Sequence, residues 1–278
     1  GIGKTALAAG IRDRVAQAGG HFAAGKFEQQ QRDVPYLGLA QAFAGLVRSV
    51  LTEPDAMVAA WRTALLDRLG RSAGALAELV PGLDRLIGPQ PPSIPLAPAE
   101  AGNRLTQAVQ DLVAVFATPD HPMVLLVDDL QWADAASLEL LGPICRAAPS
   151  GGLLLIGTCR DGEADPGQAL HDALCALDAQ LGGVLRIDLQ PLAPDDIEAM
   201  LAAAYRGEPG DMAAAAALVH AKTLGNPLFA RQLLGHLRET GAIGSAGRWD
   251  LGRIAAVQAT DNVVGFLADR IGHLPAEL

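Results

Sequence analysis

Three short, nearly continuous apolar segments constrain the fold more than any other feature of this chain. They are MVLLVDD at 123–129, GLLLIGTCR at 152–160 and GVLRIDL at 183–189, and HFAAGKFE at 21–28 forms a further candidate strand. Segments with helical periodicity separate them. Apolar strands that alternate with helices are typical of a parallel sheet covered by helices on both faces. The sequence therefore predicts an α/β fold.

Charged side chains follow two of these strands where each strand ends. Asp128 and Asp129 close one apolar segment, Arg160 closes the next, and Asp134 is placed to cap the helix between them. Parallel sheets bind ligands at the carboxyl ends of their strands. Taken singly, the two aspartates also suit a strand-ending turn, and Arg160 suits a surface ion pair. Their order at successive strand ends favours a nucleotide site.

The chain begins with GIGKT, which matches the second half of a phosphate-binding loop of the type G-x-x-x-x-G-K-[ST]. In such a loop the backbone N–H groups wrap the phosphates, the lysine reaches the β- and γ-phosphates, and the next hydroxyl group binds Mg²⁺. Gly3, Lys4 and Thr5 occupy those positions, and one helix is predicted from there to Gly20. The alternative is a chance Gly-Lys-Thr in a glycine-rich terminus.

Composition limits the classes of function. The net charge of −10 argues against a nucleic-acid-binding surface, because such surfaces are basic as a rule. We find no signal-peptide pattern and no apolar segment near the length of a membrane span, so neither feature is expected of these residues. Three cysteines without a pairing pattern suit a reducing cytosol, so a cytoplasmic location is predicted. His171 and Cys175 have helical spacing, but two candidate ligands do not make a closed metal site.

The chain changes character after about residue 190. Helical segments then follow one another with little strand between them, and GAIGSAGRWDLGR at 241–253 resembles a small hairpin. Asp195 and Asp196 open the first of these helices and suit a cap better than a catalytic role. We therefore place a domain boundary near residue 190.

Several segments together resemble a known family. The family is the STAND group of AAA+-related P-loop ATPases, signal-transduction ATPases with numerous domains, and the similar segments are GIGKTAL, VLLVDDLQWADAASLELL, LLLIGTCRD and LGNPLFARQLL. The chain is most similar to the ATPase segment of large bacterial proteins that join a Ser/Thr protein kinase, this ATPase and often a sensor histidine kinase. LuxR-type transcriptional regulators carry a related module. The DDLQWAD and GNPLF signatures are specific in combination, whereas GIGKT alone is not.

The resemblance implies ATP or ADP and Mg²⁺ as ligands, with a role for each matching residue. The residues expected to bind the nucleotide are Gly1, Gly3, Lys4, Thr5 and Pro227, the proline lying near the adenine. The expected metal ligands are Thr5 and Asp128. The expected catalytic residues are Asp129, which polarises the attacking water, and Arg160, which senses or stabilises the γ-phosphate.

The resemblance also implies three domains. Residues 1–190 match an N-terminally truncated P-loop ATPase domain, 191–240 a helical lid, and 241–278 the start of a winged-helix-like domain that acts as a switch element and not as a DNA reader. In this family the strand before the phosphate loop is central in the sheet. That strand and the first part of the loop would precede Gly1, so the chain is predicted to be a fragment of a longer protein or an incomplete gene product.

The predicted function is an ATP-binding and ATP-hydrolysing switch module of a larger bacterial signal-transduction protein. The expected partners are nucleotide, kinase or regulatory domains of the same chain, and further copies of the chain; nucleic acid and membrane are not expected. Two alternatives remain at this stage. One is the ATPase segment of a LuxR-type regulator, and the other is a scaffold that binds nucleotide without hydrolysing it.

Overall fold

The computed structural model describes residues 2–91, 96–148, 151–160, 168–205, 209–243 and 249–256. The chain divides into two compact units. Thr5–Arg186 form the larger unit, and the described residues of Gly1–Lys4 and Ile187–Leu278 form the smaller one.

The larger unit contains a parallel sheet of three strands in the order β1-β2-β3. The strands are β1 (His21–Lys26), β2 (Met123–Asp128) and β3 (Leu153–Gly157). All six residues of β2 are buried, as expected for an apolar strand between two others. The register pairs Lys26 with Asp128 and Val127 with Gly157, so the carboxyl ends of all three strands lie at one edge. The predicted α/β fold with a parallel sheet is confirmed.

Helices flank the sheet because their apolar residues recur with helical spacing. The third helix shows this most clearly: Leu39, Phe43 and Leu46 are fully or almost fully buried, and the helix packs on β1. The helices between residues 4 and 181 are α1 (Lys4–Ala9), α2 (Arg12–Gln17), α3 (Leu37–Val50), α4 (Asp55–Leu69), α5 (Ala73–Leu79), α6 (Leu83–Ile87), α7 (Pro98–Phe116), α8 (Ala135–Arg146) and α9 (Gln168–Leu181). In the described part of the chain, no helix has both the length and the apolar character needed to cross a membrane.

The single helix predicted between the phosphate-loop motif and Gly20 is wrong. The segment forms two short helices, α1 and α2, with a break at Gly10. Glycine is unfavourable inside a helix by roughly 1 kcal/mol relative to alanine. The first helix also has little to gain from burial, because Leu7 is 62% exposed whereas Val15 in α2 is buried. Weak propensity and weak burial together account for the break.

The strand predicted at 183–189 is also wrong. Residues 183–190 contain no helix or strand, and Leu185 and Ile187 are 85% and 66% exposed. A strand needs a neighbour that accepts and donates its ladder hydrogen bonds. Among the described strands none pairs with this segment. Apolar composition alone therefore does not make it part of the sheet.

The amino end of the sheet contains an aromatic cluster around His21, the first residue of β1. Its ring meets the rings of Trp61 and Phe116 edge-on, at centroid distances of 5.3 and 5.2 Å. His21 is 7% exposed, and its Nε2 atom has no hydrogen-bond partner among the described residues. Burial lowers the pKa of His21; the charge of Glu53 acts in the opposite direction, and His121 lowers the pKa further.

This burial predicts a pH dependence of stability. The unfolded chain binds a proton at His21 near pH 6.5, whereas the folded chain resists protonation. The contribution of His21 to the free energy of unfolding is therefore complete above about pH 6.5 and is lost as the pH falls through the lowered pKa. Between pH 6.5 and the lowered pKa, His21 alone is expected to decrease the free energy of unfolding by about 1.4 kcal/mol for each unit by which the pH falls. Urea unfolding of the wild type and of His21→Phe between pH 7.5 and 5 measures it.

The phenylalanine variant keeps an aromatic ring in the cluster and removes the titrating group. Its stability is therefore expected to fall less on acidification than that of the wild type. His171→Phe is the matched control, because His171 is exposed on α9. Equal slopes for the wild type and His21→Phe would show that His21 does not control the acid sensitivity.

The smaller unit is helical. Its helices are α10 (Pro194–Ala204), α11 (Pro209–Thr223), α12 (Pro227–Glu239) and α13 (Leu251–Ala256). The carboxylate of Asp196 accepts a hydrogen bond from the N–H of Ala193 at 2.8 Å, which agrees with the predicted cap. Ile243 and Trp249 form an antiparallel bridge where the hairpin was predicted. The residues between them from 244 to 248, and the rest of the predicted winged-helix segment from 257, lie outside the described residues.

Candidate functional site

The carboxyl edge of the sheet brings together polar and charged residues at the ends of the strands. Lys26 ends β1, Asp128 ends β2, and Thr158 directly follows β3. Asp128 and Thr158 are each only 7% exposed. A buried carboxylate needs hydrogen-bond donors to offset the loss of water. The partners of Asp128 therefore help to indicate which kind of ligand the site could bind.

Two hydroxyl groups supply those donors. Oγ1 of Thr5 donates to Oδ2 of Asp128 at 2.7 Å, and Oγ1 of Thr158 donates to Oδ1. The first of these bonds joins residues 123 positions apart. It places the hydroxyl group of the GKT motif directly at the end of β2, the middle strand of the three.

The Thr5 and Asp128 oxygens suit Mg²⁺. Hydroxyl and carboxylate oxygens are hard ligands, and neighbouring ligands in an octahedron with bonds of 2.0–2.1 Å lie about 2.9 Å apart. The observed separation of 2.7 Å is close to that value. Among the described residues no group of three His, Cys, Asp or Glu side chains could hold a metal. Mg²⁺ needs no such group, because it usually takes its remaining ligands from water and substrate phosphates.

Asp129 occupies a different environment from its neighbour. Its backbone is left-handed, with φ 57° and ψ 48°, a conformation that few residues with a side chain adopt but that aspartate tolerates. Its carboxylate lies 3.5 Å from Nζ of Lys26 and 3.8 Å from Nε of Arg160. Nε2 of Gln131 donates to the same carboxylate at 3.0 Å. Three strand ends therefore supply one acid and two cations within ion-pair distance.

Gln131 links this acid to the end of the third strand. Its Oε1 accepts a hydrogen bond from the backbone N–H of Arg160 at 3.2 Å, while its amide group binds Asp129. The side chains of Lys26 and Arg160 remain about half exposed, at 56% and 52%. Exposed ion pairs contribute little to stability, so the two ion pairs of Asp129 add little to the stability of this edge.

The structure thus assembles four of the predicted site residues, Thr5, Asp128, Asp129 and Arg160, at one edge. Lys4 is the first residue of α1. Gly3 has φ 93°, a left-handed value that glycine adopts without strain. Gly1 lies outside the described residues. Pro227 is the first residue of α12 in the smaller unit, and its relation to the sheet edge stays a prediction.

At Pro227 the local structure also has an explanation without nucleotide. Oδ1 of Asn226 accepts from the N–H groups of Leu228 and Phe229 at 3.0 and 3.3 Å, and so caps α12. Proline is favoured at the position after such a cap, since its missing N–H is not needed there. Asn-Pro therefore starts the helix whether or not the proline contacts a base.

Sequence reasoning missed three residues of the site: Lys26, Gln131 and Thr158. A signal existed for two of them. Lys26 ends a predicted strand and Thr158 follows another, so both satisfy the same strand-end rule that identified Asp128 and Arg160. Gln131 gave no such signal, because its role depends on a side-chain contact that only the turn after β2 creates.

A parallel sheet with a hydroxyl–aspartate pair at its carboxyl edge is the architecture of a P-loop nucleotide-binding protein. Residues 1–156, more than half of the chain, match the family model of the AAA ATPase domain. The chain belongs to this family of AAA ATPase domains.

A curated relative extends the comparison. The chain is similar to the hybrid signal transduction histidine kinase G of Dictyostelium discoideum, with 32% identity over 143 residues. The match covers 51% of this chain and 4% of that protein, so the chain spans a small part of its relative. No solved structure matches the chain significantly.

Proposed function

We propose that this chain is the ATP-binding and ATP-hydrolysing switch module of a larger signal-transduction protein. One observation carries the proposal: the hydroxyl group of Thr5 and the carboxylate of Asp128 lie 2.7 Å apart at the carboxyl edge of the sheet. Membership of the AAA ATPase family supports nucleotide as the ligand. The name of the Dictyostelium relative supports a signalling context.

Each part of the site has a distinct proposed role in binding. The backbone of Gly1 and Gly3 approaches the phosphates, and Lys4 neutralises charge on the β- and γ-phosphates. Thr5 and Asp128 hold Mg²⁺. When bound, Mg²⁺ neutralises charge on the phosphate oxygens. Pro227 is proposed to contact the adenine.

The proposed catalytic residues are Asp129 and Arg160. Asp129 orients the attacking water and accepts its proton, for which its carboxylate must be free of strong ion pairs. Arg160 stabilises the charge that develops on the γ-phosphoryl group, as positive charge near this group does in phosphoryl transfer. In the present arrangement Arg160 lies 3.8 Å from Asp129. Movement of Arg160 towards a phosphate would remove one of the two ion pairs of this acid, and a similar movement of Lys26 would remove the other.

The module organisation is proposed from the family resemblance. Residues 1–190 form the ATPase domain of STAND type, 191–240 a helical lid, and 241–278 the start of a winged-helix-like switch domain. ATP would favour closure of the lid, and hydrolysis would reset it. Kinase or regulatory domains of the same chain would respond to this change in the cytoplasm. A change in self-association would be a second response.

A second candidate function is a scaffold that binds nucleotide and turns it over slowly. The observation that favours it is the engagement of Asp129 by both Lys26 and Arg160. If nucleotide leaves these ion pairs intact, the acid is not free to orient water. Binding would then occur with little hydrolysis.

Lys4→Ala tests the proposed function. The substitution is expected to weaken binding of a fluorescent ATP analogue with Mg²⁺ by at least tenfold, because the lysine charge on the phosphates is lost, and tenfold corresponds to about 1.4 kcal/mol. Equilibrium titration followed by fluorescence anisotropy measures the dissociation constant in the full-length protein. A phosphate-release assay of the wild type then distinguishes a module that hydrolyses ATP from a scaffold that only binds it.

Lys222→Ala is the charge-matched control, since it removes a lysine in α11 of the smaller unit. Its dissociation constant is expected to equal that of the wild type. Equal affinity of Lys4→Ala and the wild type, or absence of binding by folded wild-type protein, would contradict a nucleotide-binding function at this site.

A further inference from the structure

Thr158 binds backbone groups on both sides of the acidic pair, one in β2 and one in the segment that follows it. Its N–H donates to the carbonyl oxygen of Val127 at 3.0 Å, and its own carbonyl oxygen accepts from the N–H of Leu130 at 2.8 Å. In a regular parallel ladder a residue binds positions i−1 and i+1 of its neighbour, which here would be Val127 and Asp129. The hydrogen bond to the carbonyl oxygen of Thr158 comes from Leu130 instead of Asp129, and so is displaced by one residue. The chain after β2 therefore forms a one-residue bulge at Asp129, a feature that is common next to active sites.

The bulge leaves the N–H of Asp129 without its ladder partner. The left-handed backbone of Asp129 causes the displacement, and such a conformation persists only where the surroundings hold it. The N–H donates instead to Oγ1 of Thr158 at 3.1 Å. A buried N–H without an acceptor is costly, so the side chain of Thr158 replaces the ladder partner that its own backbone no longer provides.

The same hydroxyl group also binds the other acid. Its single O–H donates to Oδ1 of Asp128, while one of its lone pairs accepts from the N–H of Asp129. Both bonds thereby define the direction of the O–H. Thr158 and Asp128 are each 7% exposed, so little water is available to replace either bond.

We propose that Thr158 is a positioning residue for both acids of the site. One hydroxyl group holds the Asp128 carboxylate, so that Oδ2 faces Thr5, and holds the Asp129 peptide in the bulge that directs this acid towards Lys26 and Arg160. The catalytic consequence rests on the proposed function, whereas the hydrogen bonds can be tested without nucleotide.

The first test uses the protein without nucleotide. Thr158→Val keeps the shape of the side chain and removes the hydroxyl group, so hydrogen exchange at the Asp129 amide is expected to become at least about tenfold faster, the factor that corresponds to loss of one hydrogen bond of roughly 1.4 kcal/mol. Thr158→Ser keeps both bonds and is expected to exchange like the wild type. An unchanged rate in folded Thr158→Val overturns the proposal.

Two further variants secure this test. Thr63→Val makes the same substitution on an exposed position of α4, and its Asp129 exchange is expected to match the wild type. If Thr158→Val does not fold, Thr158→Cys takes its place, because a thiol is a weak donor and acceptor of similar size. Its exchange rate is expected to lie above that of Thr158→Ser, and equal rates in these two variants overturn the proposal.

The second test measures the Mg²⁺ dependence of nucleotide binding and hydrolysis in the full-length protein. Thr158→Val is expected to raise the Mg²⁺ concentration for half-maximal hydrolysis by about 10–100-fold, the usual effect of removing a partner of a metal ligand, and to lower kcat more than it changes KM for ATP. Nucleotide affinity without Mg²⁺ and the activity of Thr158→Ser are expected to stay at wild-type values. A purely structural role would lower stability and leave the Mg²⁺ dependence unchanged.

The two tests separate failure of the inference from failure of the proposed function. If the wild type neither binds nor hydrolyses ATP with Mg²⁺, the proposed function fails, and the exchange measurement still decides whether Thr158 positions the two acids. If the wild type is active and Thr158→Val has the same Mg²⁺ dependence, the inference is overturned while the proposed function stands.

Discussion

Asp128→Asn is expected to reduce Mg²⁺-dependent ATP hydrolysis by about 10²–10³-fold, the range seen when one preorganised electrostatic contact of an active site is removed. The carboxylate is buried and bound by two hydroxyl groups, Thr5 and Thr158. Asparagine retains an oxygen acceptor of the same shape but has no negative charge with which to hold Mg²⁺. Phosphate release at saturating ATP, measured over a range of Mg²⁺ concentrations, is the appropriate assay.

The matched control is Asp67→Asn, which makes the same exchange at an exposed position of α4. Wild-type hydrolysis is expected from it. Asp129→Asn distinguishes the two neighbouring acids: it is expected to bind Mg²⁺-ATP with nearly unchanged affinity and to lose turnover. Wild-type Mg²⁺ dependence in Asp128→Asn would mean that the metal ligand lies elsewhere in the molecule.

The contrast between these two acids follows from where each side chain points. Asp128 is part of a buried strand, and its carboxylate is bound by neutral hydroxyl groups. Asp129 lies in the following bulge and meets the charges of Lys26 and Arg160. A carboxylate bound by neutral donors keeps its charge available for a cation, whereas one paired with two cations must first be released. The first arrangement suits a metal ligand, and the second suits an acid whose availability depends on the ligand state.

The parallel sheet was predictable from the sequence because burial on both faces requires a nearly continuous apolar strand. MVLLVD of β2 satisfies this requirement at every position. The cap of α8 was predictable for a local reason: Oδ1 of Asp134 reaches the N–H of Ser137 at 2.8 Å within a single turn. In both cases the sequence signal lies within one short segment, and both predictions are confirmed.

The errors concern features that depend on partners or on small energy differences. The apolar segment at 183–189 has strand composition, but strand formation also requires a hydrogen-bonding neighbour. The break at Gly10 depends on how much burial α1 gains, and the exposure of Leu7 shows that it gains little. Hydrophobic periodicity reveals neither the neighbour of a strand nor the burial of a helix, because both are properties of the folded chain.

The site was predictable at the level of strand ends but not of side-chain contacts. Asp128 and Arg160 could be selected because the carboxyl ends of neighbouring parallel strands meet at one edge. The hydrogen bonds of Thr158 depend on the bulge at Asp129, and that bulge depends on a backbone conformation with no sequence signal beyond the tolerance of aspartate for it. The residue that binds both acids, Thr158, was therefore overlooked although it stands only two positions before Arg160.

Gly25→Ala is expected to destabilise the larger unit by about 1–3 kcal/mol or more, the usual cost of added volume in a packed interior. A Cβ atom at Gly25 in β1 would lie 1.9 Å from the carbonyl oxygen of Gly38 in α3 and 3.1 Å from Cβ of Ala42. The first obstacle is backbone, which cannot rotate away as a side chain can. The helix must then move from the strand, which disturbs the packing of Phe43 and Leu46. Urea unfolding followed by circular dichroism measures the loss.

Gly102→Ala provides the control within the same unit. Gly102 lies inside α7, and a Cβ atom there would meet nothing within 4 Å. Alanine is the better helix former by roughly 0.8–1.0 kcal/mol, so this variant is expected to be at least as stable as the wild type. Opposite signs for the two substitutions would show that the close approach of α3 to β1, and not the loss of glycine itself, sets the cost. Equal stability of Gly25→Ala and the wild type would mean that α3 can shift without loss, and that its contact with β1 is looser than the structure indicates.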